Sequence, residues 1–179
     1  MKPALALLLL GAVAIMFQGA ASGLLATRFI PDLGFLIVVA VGARWRSLPG
    51  GLVLAALIGY AADLLSGSLL GQHALLRMLA FLAARVASRS LNLRGSLPQA
   101  VFVGLLTLLN ALGVAVLTSF FAPPGAVFGL PPANALLTHA GINAAIAPLV
   151  ALGTDRVLAL VSDEDAGRRL LRFESRRAA

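Results

Sequence analysis

Six apolar runs divide this chain, and its arginines collect in alternate gaps between them. The runs fall at residues 3 to 22, 31 to 44, 48 to 65, 69 to 87, 98 to 121 and 133 to 153. A hydrocarbon core about 30 Å thick takes about 20 mostly apolar residues of helix, so five runs have spanning length and the run at 31 to 44 is short. Lys2 precedes the first run. Arg44 and Arg46 follow the second, Arg85, Arg89 and Arg94 the fourth, and Arg156, Arg168, Arg169, Arg172, Arg176 and Arg177 the sixth. The other connections hold only Arg28. Lys and Arg are retained on the cytoplasmic side, so the pattern predicts six transmembrane helices with both termini in the cytoplasm. The expected fold is an all-α integral membrane bundle over residues 1–160, followed by a basic tail over 161–179.

Composition excludes the soluble alternative: 12% of the residues are charged and 60% hydrophobic. The net charge of +7 sits in short juxtamembrane segments. Orientation and anionic headgroups account for it there, and no nucleic-acid partner is expected. Without cysteine there is no disulfide, thiolate metal site or thiol nucleophile. The sequence contains no H-E-x-x-H, P-loop, G-x-S-x-G or G-x-G-x-x-G motif, and neither histidine belongs to a ligand set. No catalytic residue, metal or cofactor is therefore expected. Lys2 and the small residues Gly19, Ala20, Ala21 and Ser22 also fit a secretory leader. The apolar stretch from Ala4 to Phe17 is at the long end for one, and the first run is read as a retained span; its removal would leave the rest of the weave unchanged.

Polar residues inside the runs are the candidate functional positions. Gly51, Ala55, Gly59 and Asp63 recur every four residues and share one helix face, where small side chains admit a neighbouring backbone. A carboxylate at Asp63 must be paired or hydrated. His73 and Arg77 descend from the same membrane surface through the turn at Ser66, Gly67, Ser68 and Gly71, which makes an Asp63–Arg77 pair the expected bond. That pair reads either as a clamp between spans three and four or as part of a hydrated outer cavity. In the sixth run Ala135, His139, Asn143, Ala147, Ala151 and Asp155 form a second stripe, with Asn134 and Thr138 beside it. Such Asn and His side chains act as interhelical hydrogen-bond glue worth about 0.6 to 2 kcal/mol each, with Thr107 and Asn110 as expected partners. No acidic residue is expected at mid-depth. Pro31 is read as a first-turn proline and Trp45 as a headgroup-level anchor. Ser162 with Asp163, Glu164 and Asp165 reads as a fresh helix start whose far end carries the tail arginines; an interfacial helix and a frayed tail both fit.

These residues resemble the rod shape-determining protein MreD family of bacteria. The resemblance rests on Pro31, Asp32 and Leu33, then on G-L-V-L-A-A-L-I-G-Y-A-A-D-L-L-S-G-S-L-L-G-Q-H-A-L from Gly51 to Leu75, and on Asn143, Pro148, Asp155 and Arg156. The family's signature falls on Pro31, Asp32, Gly59, Asp63, Ser66, Gly67, Gly71 and Leu75. The resemblance implies a non-catalytic inner-membrane component of the cell-elongation machinery, partnered with the single-span periplasmic protein MreC. It also implies an assembly with the MreB filament, the glycosyltransferase RodA and a class B penicillin-binding protein. Pro31, Asp32, Gly51, Ala55, Gly59, Asp63, Ser66, Gly67, Gly71, His73, Arg77, His139 and Asn143 are the expected partner-interface or bundle-packing residues. The family also looks like the substrate-binding subunits of energy-coupling-factor vitamin transporters. That alternative implies a solute pocket bounded by Asp32, Asp63, His73, Arg77 and Asn134. Those subunits dock through alanines at spacing four, whereas Ala4 and Ala6 are followed here by Leu8 and Leu10.

Overall fold

The structure, a computed structural model, describes residues 2–45, 47–67, 69–90, 95–121 and 130–177, with side chains as far as Val161. Arg46, Ser68, Asn92, Arg94 and the side chains of the acidic and basic tail residues lie outside that description. The described residues form α-helices joined by short connections, with no strand. The helices are α1 Lys2–Ser22, α2 Leu33–Arg44, α3 Leu48–Ser66, α4 Gln72–Ser90, α5 Ser96–Phe121 and α6 Ala133–Arg177, and a single 3-10 turn spans Thr27–Phe29.

Four of these are long and apolar enough to cross a membrane: Lys2–Ser22, Leu48–Ser66, Ser96–Phe121 and the Ala133–Val161 part of α6. Their large apolar side chains point outward, among them Leu5, Leu9, Val13, Phe17, Leu105 and Leu109. Water would drive such surfaces together, and a hydrocarbon solvent does not. The other two helices differ in kind. With twelve residues, α2 is about 18 Å long and falls short of a bilayer core. It is buried all round from Gly34 to Gly42, as expected of a helix apolar on every face. α4 has the length but carries Arg77, Arg85 and Arg89.

Packing is organised around α2, which touches α1, α3, α4 and α6. Ile37, Val38 and Val41 join Leu54, Ala55, Ile58 and Phe81 in one apolar cluster, and Phe35, Leu36 and Val39 join Ala80, Ala84, Val103 and Leu106 in a second. α3 and α4 form the tightest pair. A Cβ at Gly59 would collide with the Ala74 backbone, and one at Gly51 with the Phe81 ring, so close approach requires glycine at both positions.

Local chemistry sets the boundaries. The helix α2 begins at Leu33 with Asp32 as its cap, accepting from the Phe35 N–H at 3.0 Å, so Pro31 lies just outside the first turn instead of opening it. Ser47 caps α3, whose far end stops at Gly67 in the left-handed region (φ 63°). Trp45 closes α2 and packs partly buried against the core. The fresh helix start expected at Ser162 does not occur: α6 runs on to Arg177 without interruption. Neither glycine nor proline falls between Gly153 and Gly167, so nothing in the sequence forces a break there.

Candidate functional site

A polar network lies where α2 begins. The Asp32 carboxylate accepts from Arg77, with Oδ1 and Nη2 at 3.0 Å, while Arg77 Nη1 donates to the Ile58 carbonyl at 2.6 Å. The Asp32 backbone N–H donates to Asn143 Oδ1 at 2.9 Å. Asn143 Nδ2 then reaches Thr107 Oγ1 and His139 Nε2, each at 3.3 Å. One aspartate thus ties α2 to α4 and α6, and through Asn143 to α5. Gly34 leaves the guanidinium room to lie across α2, since a Cβ there would stand 3.2 Å from both terminal nitrogens.

The expected Asp63–Arg77 pair is not what forms. Asp63 is fully buried and faces the start of α4, where its carboxylate accepts from the backbone N–H groups of His73 (2.8 Å), Gly71 (3.0 Å) and Ala74 (3.2 Å). The first N–H groups of a helix have no partner within it and carry the positive end of its dipole, so α3 supplies the cap that α4 lacks. Ser66, whose hydroxyl bonds the Asp63 carbonyl at 3.4 Å, and the left-handed Gly67 and Gly71 shape the turn that permits this. Arg77, freed from Asp63, finds Asp32.

Depth is the second departure. Ile58 lies about two turns, or about 12 Å, below the end of α3 at Ser66. Asn143 lies about 15 Å below the start of α6 at Ala133. Asp32 bonds at that level, so the bundle holds an acidic residue well below the ends of α3 and α6. Two cavities, about 490 and 290 Å³, open above it, and Thr27, Asp32 and His139 line both. Gln18 and His73 wall the larger, and Asn110 walls the smaller. Asn134 is exposed and is not part of either wall.

Gly51, Ala55, Gly59 and Asp63 are all buried on the single face of α3 that the sequence indicates. Asn143, Ala147 and Ala151 are buried on α6. Gly51, Gly59, Asp63, Arg77 and Asn143 are therefore occupied within the bundle and present no surface to another polypeptide. Gln18 and Gly34 escaped sequence reasoning, because a lone glutamine near a helix end and a glycine in a short apolar run carry no pattern. No family model, no curated protein and no solved structure matches the chain.

Proposed function

We propose that this protein is a six-span, MreD-like scaffold of the bacterial inner membrane that holds an MreC-like single-span protein beside the cell-elongation machinery. The observation that carries the reading is how the signature residues are used. Asp32 braces four helices, Asp63 caps α4, Gly59 admits the α4 backbone, and Gly67 and Gly71 make the turn between α3 and α4. Each is committed to architecture, as a membrane scaffold requires. Intramembrane ionisable groups of a carrier instead mark a pathway and face a changing environment.

In this reading α2 and α4 are the two remaining spans. α2 avoids lipid by being enclosed, and α4 turns Arg77 inward to Asp32 and Ile58. The arginine alternation places both termini in the cytoplasm. Arg85, Arg89 and the tail then face anionic headgroups and the cytoplasmic part of the assembly, including MreB.

The test is depletion in the living bacterium. Loss of rod shape, with an MreC-like protein recovered on purification of this one, is the expected result. Unchanged shape with a new nutritional requirement would reject the scaffold. Topology is read separately. The chain has no cysteine, so a single Ser90→Cys substitution reports its own location, and labelling by an impermeant maleimide added outside the cell would refute the proposed weave.

A further inference from the structure

Because α2 is shorter than the helices around it, the bundle is hollow above Asp32. The ends of α1, α3, α4 and α6 wall the larger cavity, and Phe35, Val114 and Leu136 give the smaller one an apolar side. Two polar atoms enclosed at this end meet no partner among the described residues: Gln18 Oε1 and His139 Nδ1. Both residues line the larger cavity. A buried polar group without a partner is destabilising, so its persistence points to a bond made with something else.

The bonding around Asn143 fixes what His139 offers. The Asp32 N–H can only donate, so the Asn143 atom facing it is the oxygen, and the Asn143 amide nitrogen faces His139. That nitrogen donates to Nε2, which leaves the ring hydrogen on Nδ1. His139 therefore presents a donor and Gln18 an acceptor. In the larger cavity, where both residues lie, the charges below are already spent, Arg77 on Asp32 and on the Ile58 carbonyl, so an ionic ligand would find no free countercharge there, whereas Arg28 lines the smaller cavity.

We propose that the larger cavity binds a small uncharged molecule that carries a hydrogen-bond acceptor and donor on one apolar body, a primary carboxamide being the simplest case. The carbonyl oxygen accepts from His139 Nδ1–H, the amide N–H donates to Gln18 Oε1, and the apolar body lies in the same cavity beside Ile15, Ile30 and Leu65. Its volume, about 490 Å³, suits a molecule of modest size. Such a site is independent of any protein partner and goes beyond the scaffold reading.

Benzamide is the probe, with benzoate and benzylamine as charged analogues of the same shape. The full-length protein is labelled with ¹⁵N-histidine and placed in nanodiscs. With only two histidines, the spectrum is assigned from a His73→Gln sample. The expected result is a saturable shift of the His139 ring signals with benzamide and at least tenfold weaker binding of both charged analogues. Gln18→Leu and the equally long Gln18→Met should each weaken benzamide at least tenfold, while the melting temperature of the empty protein stays level or rises. A ring signal that does not saturate, equal binding of all three probes, or full affinity in both Gln18 variants that retain their melting temperature would overturn the proposal.

Discussion

The helix α2 carries an aspartate at one end and an arginine at the other, and each is paired with an oppositely charged residue of a neighbouring helix. At the start Asp32 meets Arg77 of α4, with side chains 18% and 4% exposed. At the finish Arg44 meets Asp155 of α6, with side chains 33% and 43% exposed. Both charges suit the helix dipole, acid at the N-terminus and base at the C-terminus. They differ in surroundings. The Asp32 pair belongs to a network in which Arg77 also holds the Ile58 carbonyl and the Asp32 amide is held by Asn143. The Arg44 pair has one added bond, to the Ala40 carbonyl of its own helix at 3.3 Å. Equal chemistry at the two ends therefore predicts unequal energetics. Burial makes one pair a condition of the fold, and exposure leaves the other an adjustment.

The largest effect should come from breaking the enclosed pair on one side. Arg77→Met leaves an uncompensated carboxylate among packed helices and should cost about 3 to 5 kcal/mol in reversible unfolding from mixed micelles. Adding Asp32→Asn should return part of that loss, because asparagine still caps α2 while the stranded charge is gone. If Arg77→Met costs less than about 1 kcal/mol, the two ends of α2 are alike and the contrast fails.

Asp63 sharpens the contrast, being a buried carboxylate held by backbone N–H groups instead of a cation. Charge-assisted bonds of this kind are stronger than neutral ones, so Asp63→Asn should cost about 2 to 3 kcal/mol. The amide group of asparagine would also turn donors toward donors at the start of α4. Hydrogen exchange at Gly71, His73 and Ala74 should accelerate in this variant, with the amides of α5 unchanged. Equal acceleration across the bundle would show that Asp63 supports the whole fold and not the cap.

Residue pattern reveals faces but not depth. The Gly51, Ala55, Gly59 and Asp63 spacing identifies the buried side of α3, because a helix repeats every 3.6 residues and a four-residue stripe stays on one side for several turns. The Asn143 stripe does the same for α6. Opposite charge and a shared surface match Asp63 with Arg77, and that logic cannot see that the start of α4 presents a row of N–H groups without helical partners within reach of Asp63. Nor could it place Asp32. A proline and an aspartate before a short apolar run carry no sign of depth, and only the packing of a 12-residue α2 between longer helices draws Asp32 inward. The hollow above it has no sequence signature, since it is made by what α2 lacks. Gln18 and His139 come from helices far apart in the chain, and only assembly brings them to one cavity.

The smallest effect should come from the exposed end. Arg44→Ala and Asp155→Ala should each cost no more than about 1 kcal/mol, and a double-mutant cycle should give a coupling within the same limit. Part of what remains should vanish with salt, because screening acts on charges that solvent can reach. Raising ionic strength from about 0.05 to about 0.5 M should shrink the Arg44–Asp155 coupling toward zero, while the Asp32–Arg77 coupling should stay nearly constant behind its shell of Phe35, Ile58 and Asn143. Two couplings that fell in parallel would mean that water and ions penetrate to Asp32. The hollow would then be a hydrated vestibule open to solutes of every charge, and the selectivity argued for uncharged ligands would lose its physical basis.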